Sequence, residues 1–272
     1  MQNQKHSYKK NYKSGYNNKP ASDFDVANVD ECLVYGRNSV RELLKSDRAV
    51  DKLYVVRGVR EGSMGLLVEL AVNKRIPVVE VEKSKLDNMC GGANHQSVAA
   101  LAAAKEYSSI EDIIEIARER GEKPLVVILD GIEDPHNLGA IIRTAECLGV
   151  HGIIIPKHRC ATLNSVVSKT SAGAIEYMAV AKETNISMTI EKLKDLGFWI
   201  FGAEAGGESC YDADYDVACA IVLGSEGKGI SRLVKEKCDY IVSIPMSGHV
   251  NSLNVSAAAA IIISEASRTR MK

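Results

Sequence analysis

The carboxy-terminal half of the chain alternates short, continuous apolar runs with helix-forming stretches. No other feature limits the available folds as much. The runs are PLVVILD (124–130), GIIIP (152–156), EYMAV (176–180), FWIFGAE (198–204), ACAIVLG (218–224) and YIVSIP (240–245). Helical patterns stand between and after them, over 137–148, 163–172, 186–196, 230–237 and 251–267. A strand that is apolar on both sides has to be covered on both faces, and helical connections lay successive strands parallel. The expectation is an α/β fold on a largely parallel sheet, with ligand-holding loops just beyond the strand ends.

Ahead of this half, residues 31–105 carry a smaller α/β pattern: LVYG, a helix over NSVRELLKS, the strand DKLYVVR, a helix over GSMGLLVELAVNKR, IPVVEVE, a helix over KSKLDNMC, and the strand SVAALAA. These read as a separate small domain. Residues 106–123 hold an amphipathic helix with a capping-box pair, Ser108 and Glu111, which either links the two domains or packs on the second. Residues 1–30 read as a disordered basic tail, because Lys, Asn and Tyr bury too little apolar surface to order it. Residues 1–22 are +5, and the remainder is −6 of a net −1. In that tail Lys9 and Lys10, interleaved with Tyr8, Tyr12 and Tyr16, suit either phosphates and stacked bases or plain solvation.

Composition excludes some classes. Hydrophobic content of 46% and charged content of 25% suit a globular domain, and no apolar run is long enough to span a bilayer, so a cytoplasmic protein is expected. The seven cysteines are scattered, with no CxxC pair and no histidine at ligand spacing. Buried thiols are expected, with no disulfide and no metal.

Three strand ends carry polar and small residues. The first, GIEDPHN, leads into a helix with Asn137 at the position of an N-cap and Arg143 six residues on. The second, Gly224-Ser225-Glu226-Gly227-Lys228-Gly229, lacks the spacing of a P-loop and of a GxGxxG dinucleotide grip. It offers close backbone approach and one carboxylate. The third places Asn251, Ser252 and Asn254 at the start of the helix rich in Ala and Ile. Each alone reads equally well as a turn or a cap.

Together, Asn137 with Arg143, Gly224 to Gly227 and Ser252-Leu253-Asn254-Val255-Ser256 resemble the three motifs of the SpoU (TrmH-type) family of RNA 2'-O-ribose methyltransferases, in order across residues 124–272. The entry VYGRNSVRELL and the pair His95-Gln96 resemble the substrate-binding domain of the RlmB-like, TrmH group 3 branch, which acts on 23S ribosomal RNA. Ser97 departs from that pattern, where Gly usually follows His-Gln.

The resemblance implies a SPOUT fold with a carboxy-terminal deep trefoil knot, preceded by an L30e-like substrate-binding domain. It implies S-adenosyl-L-methionine as methyl donor, 2'-O-methylation of a ribose (guanosine expected) in 23S ribosomal RNA, and a homodimer. It also carries over site residues: Asn137, Arg143, Glu226, Ser252 and Asn254 for catalysis, with Gly224, Ile244, Met246 and Leu253 around the cofactor. His95, Gln96, Lys9 and Lys10 are its RNA-binding candidates. A guanidinium with a pKa above about 12 is a poor base, so Arg143 is expected to orient phosphate and polarise the hydroxyl. A transfer-RNA substrate, or an RNA-binding protein that has lost catalysis, are the alternatives.

Overall fold

The computed structural model of the chain describes residues 32–59, 62–249 and 252–271. The tail with Lys9 and Lys10, and Asn251 of the third motif, lie outside the described residues.

The first unit runs β1 (Leu33–Tyr35), α1 (Arg37–Lys45), β2 (Val50–Val56), α2 (Ser63–Asn73), β3 (Val78–Val81), α3 (Lys83–Met89) and β4 (Val98–Ala102). Its strands lie in the order β1-β4-β2-β3, with only β2 and β3 parallel. Helix α1 forms because Val40, Leu43 and Leu44 recur on one face, and all three are buried against the sheet.

Helix α4 (Ile110–Glu119) follows. Its capping box is Ser109 with Asp112, one residue later than Ser108 and Glu111. Ser108 is already committed, its N–H donating to Val180 O at 2.8 Å. The helix packs on the second sheet: Ile113 sits so close over Gly152 that a Cβ there would lie 2.4 Å from it.

The second unit continues through β5 (Leu125–Asp130), α5 (Pro135–Cys147), β6 (Gly152–Pro156), α6 (Ser165–Thr170), a 3-10 turn (Ala174–Glu176), β7 (Val180–Glu183) and α7 (Ile186–Asp195). It ends with β8 (Trp199–Ser209), β9 (Cys219–Gly224), α8 (Arg232–Lys235), β10 (Tyr240–Ser243) and α9 (Val255–Arg270). The six strands run β10-β8-β9-β5-β6-β7, every neighbouring pair parallel. Leu125, Val127 and Leu129 of β5 pack towards α5 and α9, and Val126 and Ile128 towards α4 and α7. That two-sided burial, roughly 1.5–3 kcal/mol per large aliphatic side chain, explains the unbroken apolar runs.

Several expectations shift. EYMAV is not a strand throughout: Glu176 ends the 3-10 turn and β7 begins at Val180. The cause is tertiary, because the Glu176 carboxylate reaches Arg48 of the first unit at 2.9 Å, the two side chains only 1% and 9% exposed. The seam between the units also holds Ser39 Oγ donating to Ser168 O (3.0 Å) and Tyr177 OH donating to Glu42 Oε2 (2.8 Å). Only Cys90, Cys210 and Cys219 are buried; Cys147, the last residue of α5, is exposed. Among the described residues no helix is long and apolar enough to cross a membrane, and no cluster of three or more His, Cys, Asp or Glu side chains is arranged to hold a metal.

Candidate active site

The chain builds β5, β6 and β7 outward on one side of the sheet, then crosses to build β8, β9 and β10 on the other. This puts β5 beside β9, with Asp130 opposite Gly224 at their carboxyl ends. A crevice opens where strand order reverses in this way, and the first two motifs leave from those strand ends.

Helix α5 starts two residues before Asn137. Asp134 is its cap, accepting from His136 N at 2.9 Å, and Pro135 occupies the first turn, where no N–H is needed. Asn137 is therefore not the cap, and its nearly buried amide is released for other partners. Its Nδ2 donates to Glu226 Oε1 at 3.0 Å. Asn254 closes the triangle, Nδ2 donating to Asn137 Oδ1 (3.0 Å) and to Glu226 Oε1 (2.7 Å). The Asn254 Oδ1 meanwhile caps α9 by accepting from Ser256 N and Ala257 N. Side chains from three motifs, up to 117 residues apart in sequence, thus meet at one point.

The second motif is a tight loop. Ser225 and Gly229 exchange both backbone hydrogen bonds (3.1 and 2.9 Å), and Gly227 and Gly229 take φ of +80° and +65°. A Cβ on Gly224 would lie 2.1 Å from the carbonyl carbon of Gly229, so only glycine lets the loop fold back over the end of β9. This presents the exposed Glu226 carboxylate between two clefts.

One cleft, of about 760 Å³, is lined by Gly224, Ile244, Met246, Ser252 and Leu253, together with Glu204. The size suits a small-molecule ligand, and the lining combines apolar side chains with loop backbone. Glu204 pairs with Lys235 at 2.7 Å, while its other oxygen is buried without a partner. That orphaned acceptor fits a ligand carrying hydrogen-bond donors. The other cleft, of about 680 Å³, joins Asn137 and Glu226 to Glu133, His158, Arg159 and Lys228. His158 and Arg159 were missed from sequence, although KHR directly follows the apolar run GIIIP and so obeys the same strand-end rule.

Arg143 is not part of the triangle. Six residues beyond Asn137, it is turned about 120° around α5 and lies about 9 Å further along it. It is exposed, lines neither cleft, and among the described residues no hydrogen bond holds it. His95 is also displaced from its expected role. It is 4% exposed, with Nε2 2.8 Å from Asp87 Oδ1 and Nδ1 accepting from Ser97 N. Both ring nitrogens are used to hold the turn, which leaves none for RNA. Gln96 is exposed, and its Oε1 accepts from Arg37 N at 2.9 Å.

A parallel sheet that gathers three loops around a cleft at its switch point is the architecture of a cofactor-dependent α/β enzyme. Residues 124–264 match the SpoU rRNA Methylase family, and residues 33–108 match the RNA 2'-O ribose methyltransferase substrate-binding family. The chain belongs to the SpoU rRNA methylase family and is an RNA methyltransferase of the TrmH/SpoU type. A Bacillus subtilis protein assigned to the TrmH family of tRNA/rRNA methyltransferases is 45% identical over 87% of this chain and 95% of its own length. A Staphylococcus haemolyticus relative assigned to the same family is 44% identical over 89% and 97%. In fold, the chain resembles the SpoU methyltransferase AviRb from Streptomyces viridochromogenes, solved in complex with AdoMet, with a TM-score of 0.73 and 23% identity over 88% of this chain and 90% of that one. A Porphyromonas gingivalis protein assigned to the TrmH family superposes with a TM-score of 0.65 at 28% identity, covering 87% and 89%.

Proposed function

We propose that this chain transfers the methyl group of S-adenosyl-L-methionine to the 2'-hydroxyl of a ribose, expected to be a guanosine, in 23S ribosomal RNA. The observation that carries this is the Asn137–Glu226–Asn254 triangle, standing between a cofactor-sized cleft and a second cleft that holds His158, Arg159 and Lys228. The AdoMet-bound AviRb neighbour supports the choice of donor, and the family match supports RNA as the acceptor.

The cofactor, when bound, supplies an electrophilic methyl on a sulfonium. Ile244, Met246 and Leu253 give its cleft apolar lining, beside Gly224, and Ser252 and Asn254 line it as well. Asn137 and Asn254 hold Glu226 through one oxygen, leaving Oε2 to accept a hydrogen bond from the incoming ribose. Most of the rate would come from positioning a hydroxyl in line with the methyl.

Arg143 enters this reading through a second copy of the chain. Its exposed guanidinium lies off the triangle of its own protomer, so a homodimer that brings α5 against a neighbouring site would let it orient phosphate there. The trefoil knot belongs to the same reading, since β10 is an edge strand and yet the segment after it returns to Asn137 and Glu226 at the centre of the sheet.

Arg143→Ala should abolish methyl transfer and leave cofactor affinity, measured by calorimetry, nearly intact. Equal loss of both would reject the role given to Arg143. Labelled S-adenosyl-L-methionine incubated with total RNA from a strain lacking this protein tests the substrate. Label as 2'-O-methylguanosine in large-subunit RNA supports the proposal, and label in transfer RNA keeps the chemistry but changes the substrate. An intact triangle speaks against a chain that binds RNA without catalysis, and absence of cofactor binding would favour that reading.

A further inference from the structure

Lys169, at the end of α6, has no part in the chemistry described so far. Its half-buried side chain runs beside the start of α1, so close that a Cβ on Gly36 would lie 2.2 Å from its Nζ. Among the described residues no hydrogen bond or carboxylate meets that ammonium, and burial pushes its pKa below the ordinary lysine value. A cation drawn partly out of water without a counter-charge is costly.

Its neighbours add positive charge. Arg37, next to Gly36, donates from Nε to Gln96 O (3.3 Å) and from Nη1 to Ser63 Oγ (3.1 Å), neutral acceptors that fix the guanidinium without neutralising it. On the other side, Thr170 Oγ1 is 3.4 Å from His136 Nδ1. Helix α5 lies directly against α6 here: a Cβ on Gly139 would sit 2.7 Å from Thr170 Cβ. Several other surface cations do sit on carboxylates, as in Arg57 with Glu82, Lys192 with Glu111 and Lys194 with Asp239.

We propose that Arg37 and Lys169 form a phosphate track across the seam between the two units, leading the RNA backbone from the His95–Gln96 turn to the start of α5, where Asn137 stands. The track rests on the reading that the substrate is RNA. It assigns the seam a binding role of its own. The polar turn fixes Arg37, Gly36 makes room for Lys169, and the missing negative charge arrives with the ligand.

The test is the salt dependence of binding to an unmodified transcript of large-subunit ribosomal RNA, for the full chain and for Lys169→Met, Arg37→Gln and, as a control, Lys192→Met. Loss of one phosphate contact lowers the slope of log affinity against log salt by about 0.7–0.9. Lys169→Met and Arg37→Gln should each show that drop with several-fold weaker binding, cofactor affinity by calorimetry should be unchanged, and Lys192→Met should keep the full slope. A full slope in both seam variants, or an equal drop in the control, overturns the track. If Lys169→Met also loses cofactor affinity or melts early, Arg37→Gln, whose guanidinium lies outside the packed seam, decides alone. A chain that methylates RNA while both seam variants bind like the parent loses the track and keeps the function. A parent chain that binds no RNA loses both.

Discussion

Two junctions in this molecule are each assembled from segments remote in sequence, and they differ in how far they are withdrawn from water. At the seam, Arg48 and Glu176 meet at 2.9 Å out of water, and Lys105 Nζ donates to Glu176 O. At the sheet edge, Asn137, Glu226 and Asn254 also meet at 2.7–3.0 Å, and Glu226, like Glu176, is bonded through one carboxylate oxygen only, but Glu226 is exposed. The first arrangement excludes a ligand and the second waits for one. Hydrogen-bond length does not separate structure from chemistry here. Nor does spare acceptor capacity, since both carboxylates keep one oxygen without a partner among the described residues; the separating feature is exposure towards a cleft.

The comparison can be broken from its structural side first. Glu176→Ala removes the buried carboxylate that meets Arg48 across the seam and should destabilise the chain by about 3–5 kcal/mol, read from chemical denaturation. A loss below about 1 kcal/mol would mean that apolar packing holds the seam and that the ion pair is incidental. Glu226→Gln is the counterpart at the other junction. It should lower methyl transfer by about 10²- to 10³-fold, as removal of one preorganised electrostatic group does, with the denaturation midpoint unmoved. If Glu226→Gln shifts that midpoint as far as Glu176→Ala does, the distinction drawn between the junctions is wrong.

A third junction refines the contrast. His151 is buried, its Nδ1 accepting from Leu125 N (2.9 Å) and its Nε2 2.9 Å from Glu122 Oε2. Burial lowers its pKa from 6.5, outweighing the opposing effect of Glu122. The unfolded chain therefore binds the extra proton first as pH falls. Stability from this site is complete above about pH 6.5 and is lost as pH drops further, through the lowered folded-state pKa. Melting temperatures across pH 7.5 to 5.5 should show the decline, and His151→Gln should flatten it. A decline of the same size in His151→Gln would place the acid sensitivity elsewhere.

The sequence disclosed these regions unequally, for physical reasons. The parallel sheet was legible because β5, β6 and β9 are buried on both faces, and a two-sided strand has no polar position to interrupt its run. The meeting of three motifs was legible only through family resemblance, since nothing local in SLNVS says that Asn254 will reach back across 117 residues to Asn137. Capping was misread twice. Asp134 outcompeted Asn137, since Pro135 fits the first turn, and Ser109 displaced Ser108, which the sheet edge had claimed. The seam left no trace in periodicity at all. Glu176 looked like part of a strand until Arg48, 128 residues earlier, supplied its partner.

The smallest effect tests the turn that fixes Arg37. Gln96 and Ser97 take φ of +53° and +69°, a conformation that costs a residue with a Cβ about 1–2 kcal/mol. The turn is held regardless, because Ser97 N donates to His95 Nδ1 and His95 is anchored on Asp87. Glycine at position 97 would remove the strain but give the unfolded chain more freedom to lose, a cost of about 0.5–1 kcal/mol. Ser97→Gly should therefore stabilise the chain by no more than about 1 kcal/mol, seen as a higher denaturant midpoint at unchanged slope. If the variant is instead less stable, the backbone of the turn is not under strain, and the serine side chain contributes something that glycine cannot. RNA binding by Ser97→Gly should match the parent, because the Gln96 acceptor that positions Arg37 is untouched. A weaker, less salt-dependent complex would show that the serine itself helps to aim the guanidinium.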